Sequence, residues 1–580
     1  MIVRLPAGPL VHGPKAVLST VWQAFPDPFR ALTGAFFARF FESELTTGYD
    51  DLKNSFFWLL AALAVPGIFI PWLMVFDWHM IGTFKGALAL REASQAEKTL
   101  YLGFAMIASG FLTIIVWSSL LPDRRDTLIL GGLPVAPGTI VAAKLAALGA
   151  FVLLIGAAMH TGSAIFFGSI LATNSGNLFA LRGILAHFLA ASAASAGVAL
   201  MVAAAQGLIL ALAGPRLFSR LVPLLQTVLV GTMALGLGFL PLIAFSIVRT
   251  LRPFGNYRQP WILDTPPVWF LGLYEWLLGT SDPVLISLAQ KAVLTLLIAV
   301  VVIAVTYPIA YRRLMVSVVE RGREPGQLIV RLIRALLIRT AGRHPEAQAA
   351  ADFYTATVFR VERHRFALAL ALGVAMAWIA VGWVSLDPPD APAAGWLSLP
   401  FTAMVFLVAG LRLAAALPGD IRAGWLFELK EPSRVHARRA LERVMVLLGV
   451  LPPAVLSAAV FWWLWGREIA LVHGAVSIAV GIAVVEWLIW ECDGMPCGQR
   501  WTLKGATLGY RWPFYVVAFF LLTIGVARLE RLFLGHMYIA IVFVSLWVVV
   551  AAVMRRASAR HVIVPSYDEV DPAAGVLRLN

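Results

Sequence analysis

Residues 121–137 read LPDRRDTLILGGLPVAP and lie between two strongly apolar stretches. The segment begins with Leu-Pro and four charged residues, Asp123, Arg124, Arg125 and Asp126, and then becomes apolar. This apolar part is too short to cross a bilayer, which takes about twenty residues, and too apolar for a solvated loop. The pattern predicts a short helix lying against the membrane surface. A simple charged loop that anchors the topology is the alternative.

A weaker copy of this segment occupies residues 417–432, LPGDIRAGWLFELKEP. It also follows an apolar run, begins with Leu-Pro, and carries Asp420 and Arg422. One such segment in each half of the chain indicates that the two halves are related.

The composition indicates an all-α integral membrane protein. Of the 580 residues, 60% are hydrophobic and only 13% are charged, and several apolar runs reach about twenty residues. The formal net charge of +14 would suggest nucleic acid as a partner of a soluble chain. In a membrane protein, basic residues instead hold loops in the cytoplasm and contact anionic lipid. We therefore expect membrane lipid, and no nucleic acid, as a partner.

The apolar runs predict about twelve transmembrane helices, arranged as two pseudo-symmetric repeats of six. The predicted spans cover residues 56–76, 101–120, 140–159, 184–212, 221–247, 292–311, 366–384, 397–417, 444–465, 470–490, 512–527 and 537–554. Gly214 and the Pro-Arg pair that follows it mark the turn between the fourth and fifth spans.

The distribution of Lys and Arg orients these spans. With both termini in the cytoplasm, the inner segments carry 33 basic residues and the outer segments carry 11. This positive-inside bias predicts a multi-pass protein of the cell inner membrane. The first residues lack the apolar core and cleavage site of a signal peptide, so none is expected.

The predicted domains follow from the spans. An amphipathic helix at residues 26–44 is expected to lie on the membrane surface before the first span, although it could instead be the frayed start of that span. The basic segment in the middle of the chain contains eleven arginines. The organisation is a cytosolic lead (1–55), a first six-helix domain (56–311), a basic linker (312–365), a second six-helix domain (366–554) and a cytosolic tail (555–580).

No segment carries a sequence motif of nucleotide hydrolysis or of another enzyme class. There is no phosphate-binding loop, no H-E-x-x-H and no G-x-S-x-G, so we expect no enzyme activity, no cofactor and no metal site in this chain. Cys492 and Cys497 are expected to be structural. The histidines near span ends are expected to be interfacial or packed; they are His160, His187, His473 and His536.

Three ionisable side chains lie within predicted spans, where a charge is costly. Glu486 and Arg412 lie about one turn inside their spans and could form an intramembrane polar pair. Lys144 could extend from the third span to the headgroups. The alternative for all three is a residue near the interface that reaches the lipid headgroups.

The layout resembles the membrane subunits of type-2 ABC exporters. That family has a surface elbow helix, six spans, a cytosolic coupling segment between the second and third spans, and small outer helices before the sixth. The matching segments here are 26–44 (elbow), 123–133 and 420–429 (coupling) and 261–278 (outer helices). Two departures are the fusion of both halves in one chain and the short outer loop of the second half, 528–536.

The resemblance implies a permease that a separate ATP-binding-cassette ATPase energises. That subunit would bind ATP and dock on the two coupling segments, at Asp123, Arg124, Arg125, Asp126, Asp420 and Arg422. No further oligomer is required if the halves form the pseudo-dimer. Three alternatives stay open: a secondary transporter built from repeats, a membrane scaffold or assembly factor, and a membrane transferase.

Overall fold

The computed structural model describes helices throughout the chain. The described residues are 26–39, 65, 67–69, 72, 94–117, 130, 133–172, 177–251, 260–320, 335–336, 344–386, 390–417, 434–490, 497, 514–515 and 517–560. Within these ranges there is no β-strand, and nine helices are long and apolar enough to cross a membrane. The prediction of an all-α membrane protein is confirmed. The expected coupling residues lie outside the described residues, as do Cys492 and most of the first predicted span.

Two compact units make up the chain. The first comprises Met1–Ser219 and Leu240–Gly322, and the second comprises Arg220–Phe239 and Arg323–Asn580. The main boundary falls inside the predicted basic linker. Residues 220–239, which cover most of the predicted fifth span, group with the second unit, which the linear order of the spans did not predict.

The helices of the first unit follow the predicted order. They are α1 (Asp27–Arg39), α2 (Ser94–Ile115), α3 (Pro137–Ala172), α4 (Asn177–Leu251), α5 (Pro266–Leu277, preceded by a 3-10 turn at Pro260–Asp264) and α6 (Pro283–Glu320). Helix α4 bends at Gly214, which has φ 73° and ψ 167°. Glycine tolerates this left-handed backbone without steric cost. The helical geometry is interrupted there, so α4 consists of two helical segments that meet at the predicted turn.

The second unit is also built from a series of helices. Its helices are α7 (Pro345–Arg360), α8 (Glu362–Ser385), α9 (Ala394–Ala416), α10 (Arg434–Met445, continuing through Val446–Val450 into Leu451–Trp465), α11 (Arg467–Trp490), α12 (Val526–Phe533) and α13 (Met537–Arg560). Val446–Val450 is a π turn. It lies just before Pro452 and Pro453, which cannot donate backbone hydrogen bonds, so the helix widens instead of breaking.

A surface helix packs on the third span of each unit. In the first unit, Phe36 of α1 is buried against Ile140, Val141 and Ala143 of α3. Lys144 of α3, which we expected to reach the headgroups, is only 7% exposed, and its Nζ lies 4.9 Å above the Phe36 ring. In the second unit, Ala350 and Ala351 of α7 pack on Ala437 and Ala440 of α10.

Cys497 closes the end of α9. Its backbone N–H donates to the Ala415 carbonyl at 2.8 Å, and its Sγ lies 3.7 Å from the Ala414 carbonyl. These bonds satisfy carbonyls that a helix leaves unpaired at its C-terminus. The geometry agrees with the structural role expected for this cysteine.

A close helix contact in the second unit gives a stability prediction. A Cβ on Gly373 of α8 would lie 2.8 Å from the Gly231 nitrogen and the Thr227 carbonyl oxygen of α4. The steric overlap in Gly373→Ala is therefore expected to destabilise the protein by about 1–3 kcal/mol. The higher helix propensity of alanine offsets about 1 kcal/mol of this loss. The measurement is thermal unfolding in detergent.

Gly474→Ala, in α11, is the matched control, because the nearest atom to its new methyl group is the Ala458 Cβ at 3.5 Å. We expect this control to unfold at or above the wild-type temperature. A Gly373→Ala protein at least as stable as the control would contradict the packing described here.

Candidate functional site

A buried ion pair joins α5 to α2 in the first unit. The Lys98 Nζ lies 2.7 Å from the Glu275 Oε1, and both side chains are 0% exposed. The ammonium group also lies 4.6 Å above the centroid of the Tyr274 ring. A buried charge is tolerated only when it is well paired, and the aromatic face adds a cation–π attraction. The pair therefore fixes the short helix α5 against the bundle.

A chain of hydrogen bonds connects α4, α3 and α2 beside this pair. The His187 Nε2 lies 3.0 Å from the Ser163 Oγ, which donates to the Tyr101 hydroxyl at 2.8 Å. The Tyr101 hydroxyl lies 2.9 Å from the His160 Nδ1, and the His160 Nε2 lies 3.0 Å from the Ser195 Oγ. All five side chains are buried. The Ser163 hydroxyl donates to Tyr101, and the Tyr101 proton can go either to the Met159 carbonyl or to the His160 Nδ1, so the donor order at His160 follows from its tautomer.

The glycine at position 67 permits close approach to this chain. A Cβ there would lie 2.4 Å from the Met159 carbonyl oxygen and 3.3 Å from the Tyr101 hydroxyl. The Tyr101 hydroxyl itself lies 2.9 Å from that carbonyl. The absence of a side chain at Gly67 therefore provides the space that this contact needs.

Two buried polar atoms of this centre have no hydrogen-bond partner among the described residues. They are the His187 Nδ1 and the Tyr274 hydroxyl. Their rings touch edge to face, with centroids 5.4 Å apart, and the His187 ring stacks on Phe167 at 4.6 Å. Burial, and then the neighbouring Glu275 charge, raise the pKa of Tyr274 well above its usual value. The phenol therefore stays protonated and able to donate.

The second unit has its own buried centre. The His473 Nδ1 of α11 lies 3.0 Å from the Glu530 Oε1 of α12, and both side chains are 0% exposed. The His473 Nε2 lies 3.3 Å from the Ser477 Oγ. The rings of Phe401 and Phe461 enclose the imidazole, with centroids 5.1 and 4.7 Å away. An acid–base pair in an apolar cage thus fixes α12 as Lys98 and Glu275 fix α5.

The two glutamates occupy matching places in the repeat. Glu275 lies eight residues before the start of α6, and Glu530 lies seven residues before the start of α13. Glu275 is on the separate short helix α5, whereas Glu530 is on α12, which continues a helix that runs from 517 through the π turn Leu521–Gly525. Each pairs with a base from another helix. The bases differ in origin, because Lys98 comes from the second span and His473 from the fourth.

Sequence reasoning missed both glutamates as paired groups. Each was assigned to a loop between spans, where a charge needs no explanation. The available signal was the setting of Glu275, a single acid within VWFLGLYEWLLG. The histidines His160, His187 and His473 were correctly expected to be packed, but they pack within polar networks.

Glu486 is buried, as expected, but with a different partner. The Glu486 Oε1 lies 2.9 Å from the Arg555 Nε of α13, although the angle falls short of a hydrogen bond. Arg555 also contacts Glu442 of α10. Arg412 donates from Nε to the Leu488 carbonyl at 3.1 Å. The expected pairing of Glu486 with Arg412 is thus replaced by Arg555, because α13 brings its basic end alongside α11.

Comparison with known proteins finds no matching family model, no similar curated protein and no similar solved structure. The role of the two centres is therefore argued from their geometry. Among the described residues, no group of three or more His, Cys, Asp or Glu side chains could hold a metal ion.

Breaking the buried pair of the first unit is expected to be costly. Lys98→Met or Glu275→Gln leaves one unpaired buried charge and should destabilise the protein by about 3–5 kcal/mol. The double variant removes both charges and should be less destabilised than either single variant. Thermal unfolding of all three proteins gives the interaction energy.

The exposed pair Lys291–Asp264, at 2.9 Å in the same unit, is the control. Lys291→Met should change stability by about 1 kcal/mol or less. If the double variant loses the sum of the two single losses, the ion pair does not stabilise α5 as described.

Proposed function

We propose that this chain is the membrane permease of an ATP-driven exporter, energised by a separate ATPase subunit. The observation that supports it is the path of the third span in both units. Helix α3 begins at Pro137, soon after the expected coupling segment, and carries His160 and Ser163 into the first buried centre. Helix α10 begins at Arg434, after the second segment, and carries Phe461 into the second centre.

These spans are long enough to transmit a movement from the coupling segment to the buried centre. Residues 137–160 and 434–461 cover about 35–40 Å at 1.5 Å per residue, which is about the full thickness of a bilayer. A movement of the coupling segment would displace the start of the helix, at Pro137 or Arg434. The packed side chains near His160 or Phe461 would then transmit that displacement to the buried centre. The surface helices α1 and α7 pack on the first turns of α3 and α10 and would move with them.

The buried pairs then have a clear role in the cycle. One holds the short helix α5 against its bundle, and the other holds α12, the last part of a longer helix, so that each would move with its bundle. In the orientation predicted from the Lys and Arg distribution, these helices lie at the outer face and would form the outer gate. The passage would carry an amphipathic substrate such as a lipid or a glycan chain. We propose on the same grounds that the protein lies in the cell inner membrane with both termini in the cytoplasm.

A second candidate is a proton-coupled secondary transporter. The hydrogen-bonded chain from His187 to Ser195 supports it, because such a chain can pass a proton between two imidazoles. The two candidate functions differ in the energy source that drives transport. A secondary transporter reconstituted alone would move its substrate under a pH gradient without nucleotide, whereas the permease would need its ATPase and ATP.

Charge reversal in the coupling segments tests the permease proposal. We expect Arg124→Glu/Arg125→Glu, and separately Arg422→Glu, to lower the amount of ATP-binding-cassette ATPase that co-purifies with the chain at least tenfold, because like charges at a docking surface cost several kcal/mol. The measurement is quantitative mass spectrometry of complexes purified from native membranes, with ATP hydrolysis as a second readout.

Arg528→Glu/Arg531→Glu is the matched control, since both side chains are exposed and lie on α12, far in sequence from either coupling segment. It should leave ATPase binding unchanged. Wild-type ATPase binding in the coupling-segment variants would count against docking at these residues.

A further inference from the structure

A groove runs along the surface of the first unit, between the start of α4 and the end of α5. Its volume is about 260 Å³, and its lining residues are Leu181, Arg182, Leu185, Ala186, Leu189 and Leu277. Leu181, Leu185 and Leu189 recur every four residues on one face of α4 and are 56%, 51% and 51% exposed. These leucines belong to a helix apolar enough to span the membrane, so the groove presents apolar surface to lipid chains.

One arginine lies at the end of this apolar face. The Arg182 Nε donates to the Leu277 carbonyl at 2.9 Å, which uses one of the five donors of the guanidinium. The chain makes room for this group at Gly279, which has φ 84° and where a Cβ would lie 2.7 Å from the Arg182 Nη2. The guanidinium is thus held in place by backbone, and no ion pair to a described carboxylate is formed.

The combination of fixed cation and leucine groove matches an amphiphile with a negative head. A neutral lipid would contact the leucines but would leave the guanidinium without a counter-charge. A phosphate accepts hydrogen bonds from the remaining N–H groups in a geometry that arginine favours. We propose that this groove binds one anionic glycerophospholipid, with an acyl chain on Leu181, Leu185 and Leu189 and its phosphate on Arg182.

The second unit does not repeat the charge. Arg182 lies five residues before His187, and the residue five before His473 is Glu468, preceded by Arg467. The corresponding end of α11 therefore carries both signs, and the proposal assigns the lipid to the first unit alone.

A lipid in this groove would touch both helices whose inner faces form the buried centre. Ala186 on the groove is adjacent in sequence to His187, and Leu277 is on the same helix as Tyr274 and Glu275. Occupancy therefore adds contacts across the α4–α5 junction and should stabilise it.

Photocrosslinking tests the site. The full chain is placed in nanodiscs with trace phosphatidylglycerol bearing a diazirine on one acyl chain, and crosslinked peptides are quantified by mass spectrometry. We expect crosslinks within residues 181–189 that unlabelled phosphatidylglycerol displaces and phosphatidylcholine does not. Arg182→Gln should lower them about fivefold or more, since one basic contact to an anionic lipid contributes about 1 kcal/mol.

Two further variants separate the lipid site from a folding defect. Leu185→Trp fills the groove without changing Arg182 and should also lower crosslinking, while Arg467→Gln in the second unit should leave it at the wild-type level. Each variant is checked for a monodisperse elution profile. Equal crosslinking by diazirine-labelled phosphatidylcholine, or unchanged crosslinking in a monodisperse Arg182→Gln protein, would show ordinary boundary lipid and overturn the proposal.

Discussion

The cost of burying a carboxylate in an apolar helical bundle constrains this structure in both units. Glu275 and Glu530 have no exposed surface, and each is matched by a base within 3.0 Å. An unpaired charge in such surroundings would cost several kcal/mol. Helix α5 can therefore occupy its place only while the second span supplies Lys98, and the end of the helix that contains α12 only while the fourth span supplies His473. In both units this requirement links elements that are distant in the sequence.

The same requirement explains why the neighbouring positions are small or aromatic. Gly67 leaves room for the Tyr101 hydroxyl, and Phe401 and Phe461 shield the His473 imidazole. Excluding water strengthens the polar contacts inside. A substitution that changes side-chain size around either centre therefore also changes how strongly the polar groups inside it interact.

Composition and apolar run length were enough to predict the fold class, and the Gly-Pro pair was enough to predict the turn at Gly214. These features depend on local sequence, since about twenty apolar residues must form a helix in a bilayer. The partners of charged groups were not predictable in this way. Glu486 meets Arg555 instead of Arg412, and Glu275 meets Lys98, because those contacts depend on which helix faces lie together. No local pattern in a single sequence encodes that arrangement.

The π turn of α10 makes the third spans of the two units mechanically unlike. A π turn holds one residue more than an α turn, so the segments before and after it are out of phase by about 100°. Arg434–Met445 can direct its alanines towards α7 while Leu451–Trp465 directs Phe461 towards His473. Helix α3 is α-helical from Pro137 to Ala172 and behaves as a single rod. A displacement of its first residues would therefore tilt α3 as a whole, whereas in α10 the π turn joins two segments that present different faces.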